Sequence, residues 1–194
     1  MPRTLDDVSL AILAEAADDP SVAATARAAL QLRVAARALE AAPHDLAIWR
    51  AVLSAALGAG QLPLAVQGLQ LVSARDPDLA RDLWLCALDV VISEGAEALA
   101  PAIAAAATRA LPSDAVLWAT TALVTHDRDL TAARTAAETA YLLDPASPLV
   151  WIALARLYAH DEQPLRAEAA AQTAVDLGVA PAYVDAIIFA HLAH

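Results

Sequence analysis

The sequence predicts an all-α fold, a solenoid of stacked antiparallel helix hairpins, from three features that share one period. The first is a series of four tryptophans spaced 35, 34 and 33 residues apart: Trp49, Trp84, Trp118 and Trp151. The second is a series of five prolines spaced 34, 35, 33 and 36 residues apart, in nearly the same phase: Pro43, Pro77, Pro112, Pro145 and Pro181. The third is a set of small residues in the same frame. Self-similarity at a fixed period of this length is typical of helical-repeat proteins.

Small or apolar residues recur at three positions of each period. When each tryptophan is taken as position four of a unit, position twenty is Ala65, Ala100 and Ala167, and Ala133 fits if the third unit has lost one turn residue. Four residues later stand Leu69, Ala104, Ala137 and Ala171, and three residues after those stand Val72, Ala107, Ala140 and Ala174. Because spacings of four and three residues place side chains on one helix face, this pattern predicts the packing face of a second helix in each unit.

Each unit has a break after its first helix. The four breaks read GAGQLP, SEGAEALAP, THDRDLT and AHDEQP. Pro63, Pro101 and Pro164 stand where the second helix is expected to begin, the place that tolerates proline best. Asp129 or Thr131 is the expected cap of the second helix in the third unit. The prolines of the main series are predicted to end the second helices.

The uncharged segment 51–74 is long enough to cross a bilayer. Its centre, however, contains Gly58, Gly60 and Pro63, which are turn and helix-start signals. We therefore expect two buried helices joined by a turn, and no insertion into a membrane.

The two ends depart from the repeat. Residues 5–42 predict two helices separated at DDPS, which form a degenerate first hairpin or an N-terminal cap. Residues 182–193 predict one closing helix with apolar groups on more than one face. Either another chain, a second copy included, covers these groups, or a short end tolerates their exposure. The residues predicted for such a C-terminal interface are Tyr183, Ile187, Ile188 and Phe189.

The last full unit resembles the tetratricopeptide repeat. It carries the large and small residues of that pattern at the family's spacing: Trp151, Leu154, Ala155, Tyr158, Ala167, Ala171 and Ala174. The first three units have Ala56, Val91 and Thr125 where the last has Tyr158. The assignment of the repeats therefore depends on the combined spacing of tryptophans, prolines and small residues. The resemblance implies a single domain over 1–194, a right-handed superhelix of antiparallel hairpins. Its repeats would cover 46–79, 81–113, 115–147 and 148–181.

Composition excludes several classes of partner. The chain has a net charge of −11, and all twelve of its basic residues are dispersed arginines. Binding to a phosphate backbone or an anionic membrane surface depends on clustered basic residues, so nucleic acid and lipid are disfavoured. The N-terminal stretch MPRTLDDVSLAILAEAADD lacks the features of a signal peptide, and Cys86 is the single cysteine. We expect a cytoplasmic protein in which the Cys86 thiol is buried and inert.

The sequence contains no motif for catalysis, metal binding or a cofactor, so we predict none of the three. One recurrence is a candidate metal site: His126-Asp127 and His160-Asp161 lie 34 residues apart, at the same turn of successive repeats. Adjacent repeats are expected about 10 Å apart, which is too far for shared ligands. We therefore interpret both turns as places where the aspartate caps the second helix of the unit.

The resemblance also implies where a partner would bind, because in that family the first helix of each unit lines the inner groove. When the family's groove positions are transferred by their place in the repeat, the predicted groove residues of this chain are Arg50, Ser54, Asp82, Leu85, Asp89, Leu123, His126, Ile152, Arg156 and His160. This set suits an extended or helical peptide with apolar side chains, with Arg50 or Arg156 pairing an acid of the peptide. Several of these residues are also expected to pack neighbouring repeats.

Three functional hypotheses follow. The first is a non-enzymatic adaptor that assembles a multiprotein complex in a bacterium, since the arginine-only, alanine-rich composition is similar to that encoded by high-GC bacterial genomes. The second is a chaperone similar to the small acidic tetratricopeptide chaperones of secretion systems, which shields apolar segments of a client. The third, an enzyme or an RNA-binding helical repeat, is disfavoured by the absence of site chemistry and by the net charge.

Overall fold

A computed structural model describes residues 41–184, which belong to two compact units divided between Glu97 and Ala98. Within residues 41–184 every regular element is a helix and no strand occurs. The predicted all-α fold of helix hairpins is therefore confirmed for this part of the chain. The handedness of a superhelix stays a prediction.

Unit 1 contains three complete α-helices between residues 41 and 97. They are α1 (Leu46–Gly58), α2 (Leu62–Ser73) and α3 (Pro77–Ser93). The Asp45 side chain accepts a hydrogen bond from the Ala47 amide at 2.8 Å, and Asp76 accepts one from Leu79 at 3.1 Å. These bonds satisfy amides that the first turn of a helix leaves without a partner, so the two aspartates fix where α1 and α3 begin.

Unit 2 contains five complete α-helices between residues 98 and 184. They are α4 (Ala100–Ala110), α5 (Ala115–Thr125), α6 (Leu130–Leu143), α7 (Pro148–His160) and α8 (Pro164–Asp176), and a 3-10 helix at Glu97–Leu99 precedes α4. Asp129 accepts a hydrogen bond from the Ala132 amide at 2.9 Å, which confirms Asp129 as the cap of α6. Pro63, Pro101 and Pro164 all lie in the first two residues of a second helix, as predicted.

Three breaks contain the same hydrogen-bonded turn. Gly60, Gly95 and Glu162 each adopt a positive φ after α1, α3 and α7 respectively. The next amide then donates to the carbonyl five residues earlier, at 2.7 Å for Gln61, 2.7 Å for Ala96 and 2.9 Å for Gln163. This is the Schellman geometry of helix C-termini. It confirms that segment 51–74 forms two helices, and no helix within residues 41–184 has both the length and the apolar character to cross a membrane.

Three tryptophans are tied to the prolines of the main series by one repeated hydrogen bond. The indole Nε1 of Trp49 donates to the carbonyl of Pro43, that of Trp118 to Pro112 and that of Trp151 to Pro145, each at 2.8 Å. In all three pairs the proline lies six residues before the tryptophan. The constant phase of the two series therefore has a physical cause, because the indole fixes the loop that leads into its own helix.

Trp84 breaks this rule. Its proline, Pro77, is the first residue of α3 and so begins a helix instead of ending one. The helix therefore starts four residues before Arg81, where the second repeat was predicted to start. The Trp84 Nε1 donates instead to the Ser73 hydroxyl on α2 at 2.9 Å, and Ser73 donates to the Leu69 carbonyl at 2.8 Å. Trp84 is fully buried, whereas Trp118 and Trp151 are half-buried.

Alanine side chains supply much of the core of unit 2. Ala119, Ala133, Ala137 and Ala140 are fully buried in one cluster that joins α5, α6 and α7. The axis-to-axis distance of packed helices follows the size of the side chains between them, so methyl groups permit close approach. The predicted packing face is confirmed here, whereas Ala65 in unit 1 is half-buried.

Two predictions lie largely outside the described residues. The N-terminal hairpin at 5–42 is one, and the closing helix at 182–193, with Ile187, Ile188 and Phe189, is the other. The described start of the latter is helical from Pro181, with Val184 buried in the core of unit 2 and Tyr183 exposed. The C-terminal interface stays a prediction.

Candidate functional site

Unit 1 has a shallow depression of about 540 Å³ between α1 and α3, referred to below as the α1/α3 depression. Its lining combines apolar side chains with charges of both signs: Leu46, Ala47, Arg50, Asp82, Leu85, Cys86 and Asp89. Four of the ten predicted groove residues, Arg50, Asp82, Leu85 and Asp89, come together here. This is where the structure places the largest group of predicted site residues.

The lining follows from helix periodicity. Asp82, Leu85, Cys86 and Asp89 are spaced three, one and three residues apart on α3, which puts them on one face. Sequence reasoning missed Leu46, Ala47 and Cys86. The spacing on α3 was the available signal for Cys86, since it completes the i, i+3, i+4, i+7 set.

An ion pair joins the two walls of the depression. Arg50 on α1 donates a hydrogen bond to Asp89 on α3, and its other terminal nitrogen lies 3.4 Å from the Ser93 hydroxyl. The hydrogen bond to Asp89 raises the pKa of Arg50. Both side chains are about half exposed, so the pair is a screened surface interaction that contributes little to the stability of the fold. Nearby, the Ser54 hydroxyl donates to Glu94 at 2.9 Å and adds a second link between α1 and the chain that follows α3.

The Cys86 thiol is half-buried in the depression, which corrects the expectation of a fully buried thiol. Burial raises the pKa of Cys86, Asp89 raises it further, and Arg50 opposes both. Because the thiolate is the reactive form, the thiol should react slowly near neutral pH.

We expect iodoacetamide to alkylate Cys86 more slowly in the folded protein than in the urea-unfolded chain at the same pH. The midpoint of the pH–rate profile should also lie higher in the folded protein, since less thiolate is present at a given pH. Mass spectrometry of quenched samples measures both, and no second thiol interferes because the chain has one cysteine. Equal midpoints for the two states would contradict this prediction.

The predicted groove residues of unit 2 differ in exposure: two are buried, two are half-buried and one is exposed. Ile152 is only 2% exposed, in a cluster with Ala155, Ala170, Ala174 and Val184. The prediction that Ile152 lines an open groove is therefore wrong, because α8 and the helical turn at 181–184 cover it. Leu123 is half-buried and packs against this cluster as well.

His126, Asp127 and Arg156 form a polar cluster at the end of α5. The His126 ring, 3% exposed, places Nδ1 2.8 Å from the Leu123 carbonyl oxygen and Nε2 2.8 Å from an Asp127 oxygen. Arg156 on α7 lies 4.0 Å from the other Asp127 oxygen. Burial lowers the pKa of Arg156, and Asp127 opposes that shift. His126 is thus a buried residue of this cluster, whereas His160 is exposed at the end of α7.

The interpretation of Asp127 and Asp161 as helix caps is wrong. Asp129 caps α6, while Asp127 joins the polar cluster with His126. Asp161 accepts a hydrogen bond from Arg134 on α6, and α8 has no side-chain cap. Within residues 41–184, no group of three or more histidine, cysteine or carboxylate side chains is arranged to hold a metal ion.

Another cavity, of about 680 Å³, lies along α8 in unit 2 and is called the α8 cavity below. Most of its wall is apolar, and two carboxylates, those of Glu162 and Glu168, belong to its lining. The lining residues are Ala159, Glu162, Pro164, Ala167, Glu168, Ala171, Gln172, Val175, Pro181 and Val184. Sequence reasoning did not identify this cavity.

Comparison with known proteins adds no family. No protein-family model matches the chain, and a search of curated proteins finds no match. Membership of the tetratricopeptide-repeat family therefore stays a prediction from the residues quoted above.

Proposed function

We propose that the chain is a non-enzymatic adaptor of the tetratricopeptide-repeat kind, which holds a segment of a partner polypeptide against the first helices of its hairpins. The observation that carries this proposal is the α1/α3 depression. It lies between α1 and α3, the first helices of two successive repeats, and four residues chosen from their position in the repeat alone line it. Their convergence supports the transfer of the family's binding face to this chain.

The lining suits a polypeptide better than a small molecule. The depression is open and shallow, whereas small-molecule sites bury most of the ligand surface. Leu46, Ala47 and Leu85 offer apolar contact area, and charged residues share the lining with them. This combination favours a peptide segment that presents apolar side chains from a flexible or helical backbone.

The surrounding biology belongs to the same proposal. We place the adaptor in a bacterial cytoplasm, where it would assemble a multiprotein complex and act without a cofactor. The arginine-only basic residues and the single cysteine support that setting.

A second candidate function is a chaperone that shields an apolar client segment, similar to the acidic tetratricopeptide chaperones of secretion systems. The α8 cavity favours it, because a mostly apolar wall suits the burial of an exposed apolar segment. The two candidates differ in the lifetime of the complex. An adaptor stays in the finished assembly, and a chaperone leaves it.

The test of the adaptor uses the paired substitution Arg50→Ala with Leu85→Ala. Partners are captured from native cells on the tagged wild-type chain, identified by mass spectrometry, and then titrated in purified form. We expect the paired variant to bind the purified partner at least about tenfold more weakly than the wild type, because it lacks a charged and an apolar contact of the same depression.

The matched control is Leu165→Ala with Arg166→Ala on α8, which changes the same two residue types at exposed positions. Neither control residue lines either cavity. The control should bind like the wild type, and circular dichroism should give both variants the same helix content. Equal affinity of the depression variant and the control would refute the proposed surface.

A further inference from the structure

The charges of the α1/α3 depression are unbalanced. It contains one cation, Arg50, and two carboxylates, Asp82 and Asp89. Arg50 is already engaged by Asp89 and lies near Ser93. Asp82 is exposed, and among residues 41–184 no hydrogen bond or ion pair engages its carboxylate. The group that remains available to a partner is therefore an anion.

We propose that the segment bound in the α1/α3 depression is basic and apolar: an arginine or lysine of the partner pairs with Asp82, and apolar neighbours contact Leu46 and Leu85. The inference rests on the proposed function and specifies the chemistry of its partner. It reverses the sequence-based expectation that Arg50 pairs an acid of the peptide.

An acidic segment would meet like charges. To reach Arg50 it must share the guanidinium with Asp89, which places two carboxylates side by side. It would also approach Asp82, a like charge on the same helix. A basic segment reaches Asp82 with the Arg50–Asp89 pair intact, so the geometry favours a cation.

The charge of the whole chain acts in the same direction. With 23 acidic residues against 12 arginines, the chain attracts cationic partners and repels anionic ones before contact. Long basic side chains also suit the apolar part of the lining. Their methylene stems can lie against Leu46 and Leu85 while the charged end reaches Asp82.

The binding test uses two synthetic peptides of equal length, one alternating leucine with arginine and one alternating leucine with glutamate. Fluorescence anisotropy measures their affinity, and protection of Cys86 from iodoacetamide locates the bound peptide, because Cys86 lines the depression. We expect only the arginine peptide to bind and to slow alkylation. Added salt should weaken its binding, since exposed charges are screened.

Non-specific attraction to an acidic protein is controlled with matched variants. Asp82→Asn should lower the affinity for the arginine peptide about two- to fivefold, the range expected for an exposed ion pair, and Asp82→Arg should lower it further. Glu138→Gln removes the same charge from an exposed position on α6 of unit 2 and should leave the affinity unchanged. Cys86 protection should be lost in parallel with affinity.

Three outcomes would overturn the inference. They are tighter binding of the glutamate peptide, an equal effect of Asp82→Asn and Glu138→Gln, or peptide binding without protection of Cys86. The proposed function is tested separately. If Arg50→Ala with Leu85→Ala lowers the affinity for the natural partner while Asp82→Asn does not, the adaptor role stands and the basic segment is excluded.

Discussion

Replacing Trp84 with alanine is expected to lower the free energy of unfolding by about 3–5 kcal/mol, the range for truncating a large buried aromatic side chain. The indole of Trp84 is fully buried between α2 and α3 of unit 1, so its removal leaves a cavity. The substitution also removes the donor to the Ser73 hydroxyl. Ser73 keeps its own bond to the Leu69 carbonyl, so the main cost is lost packing.

The measurement is urea unfolding followed by circular dichroism, with Trp118→Ala as the control. Trp118 occupies the same position of its repeat, but its indole is only half-buried and bonds to the loop carbonyl of Pro112. Its replacement should therefore cost less. A larger loss for Trp118→Ala than for Trp84→Ala would show that burial does not decide the contribution of these tryptophans.

The repeat itself was predictable because local physics produces it. An indole that donates to a carbonyl six residues earlier fixes the distance between tryptophan and proline in three repeats. A left-handed residue closes the turn after α1, α3 and α7, and glycine at two of these turns made the breaks visible in the sequence. Both signals depend on residues close together in the chain.

The exposure of a given repeat position was not predictable in the same way. Arg50, Leu85, Ala119 and Ile152 all directly follow the tryptophan of their unit. Arg50 and Leu85 line an open depression, whereas Ala119 and Ile152 are buried. Phase fixes which side of the first helix a residue occupies. What covers that side depends on elements distant in sequence, and for Ile152 these are α8 and the turn that ends at Val184.

The aspartates of the breaks show the same limit. Asp127 and Asp161 occupy equivalent turns, yet Asp127 lies beside His126 and near Arg156 while Asp161 pairs with Arg134. Neither stands at the N-cap of the following helix, because each lies two residues before it: Asp129 is the N-cap of α6 and Gln163 that of α8. Repeat phase placed both expected caps two residues too early, and their carboxylates take other partners, whereas Asp129 stands at the N-cap and caps α6.

Replacing Ile152 with aspartate is expected to destabilise unit 2 by at least about 4 kcal/mol, since it combines a lost apolar side chain with a carboxylate buried without a partner. Ile152 lies against Ala155, Ala170 and Val184, an all-apolar environment. Burial favours the protonated form of the introduced carboxyl, so its pKa should be raised in the folded state. The variant should therefore regain part of its stability, relative to the wild type, as the pH falls.

Leu165→Asp is the matched control for this substitution, because Leu165 in α8 of the same unit is 81% exposed. Urea unfolding at several pH values should give a small and nearly pH-independent change for Leu165→Asp, and a large, pH-dependent loss for Ile152→Asp. A mild effect of Ile152→Asp would mean that this side chain faces solvent, as the groove prediction from repeat phase had it. In that case α7 would join α1 and α3 as a binding surface, and the choice of unit 1 as the site would need revision.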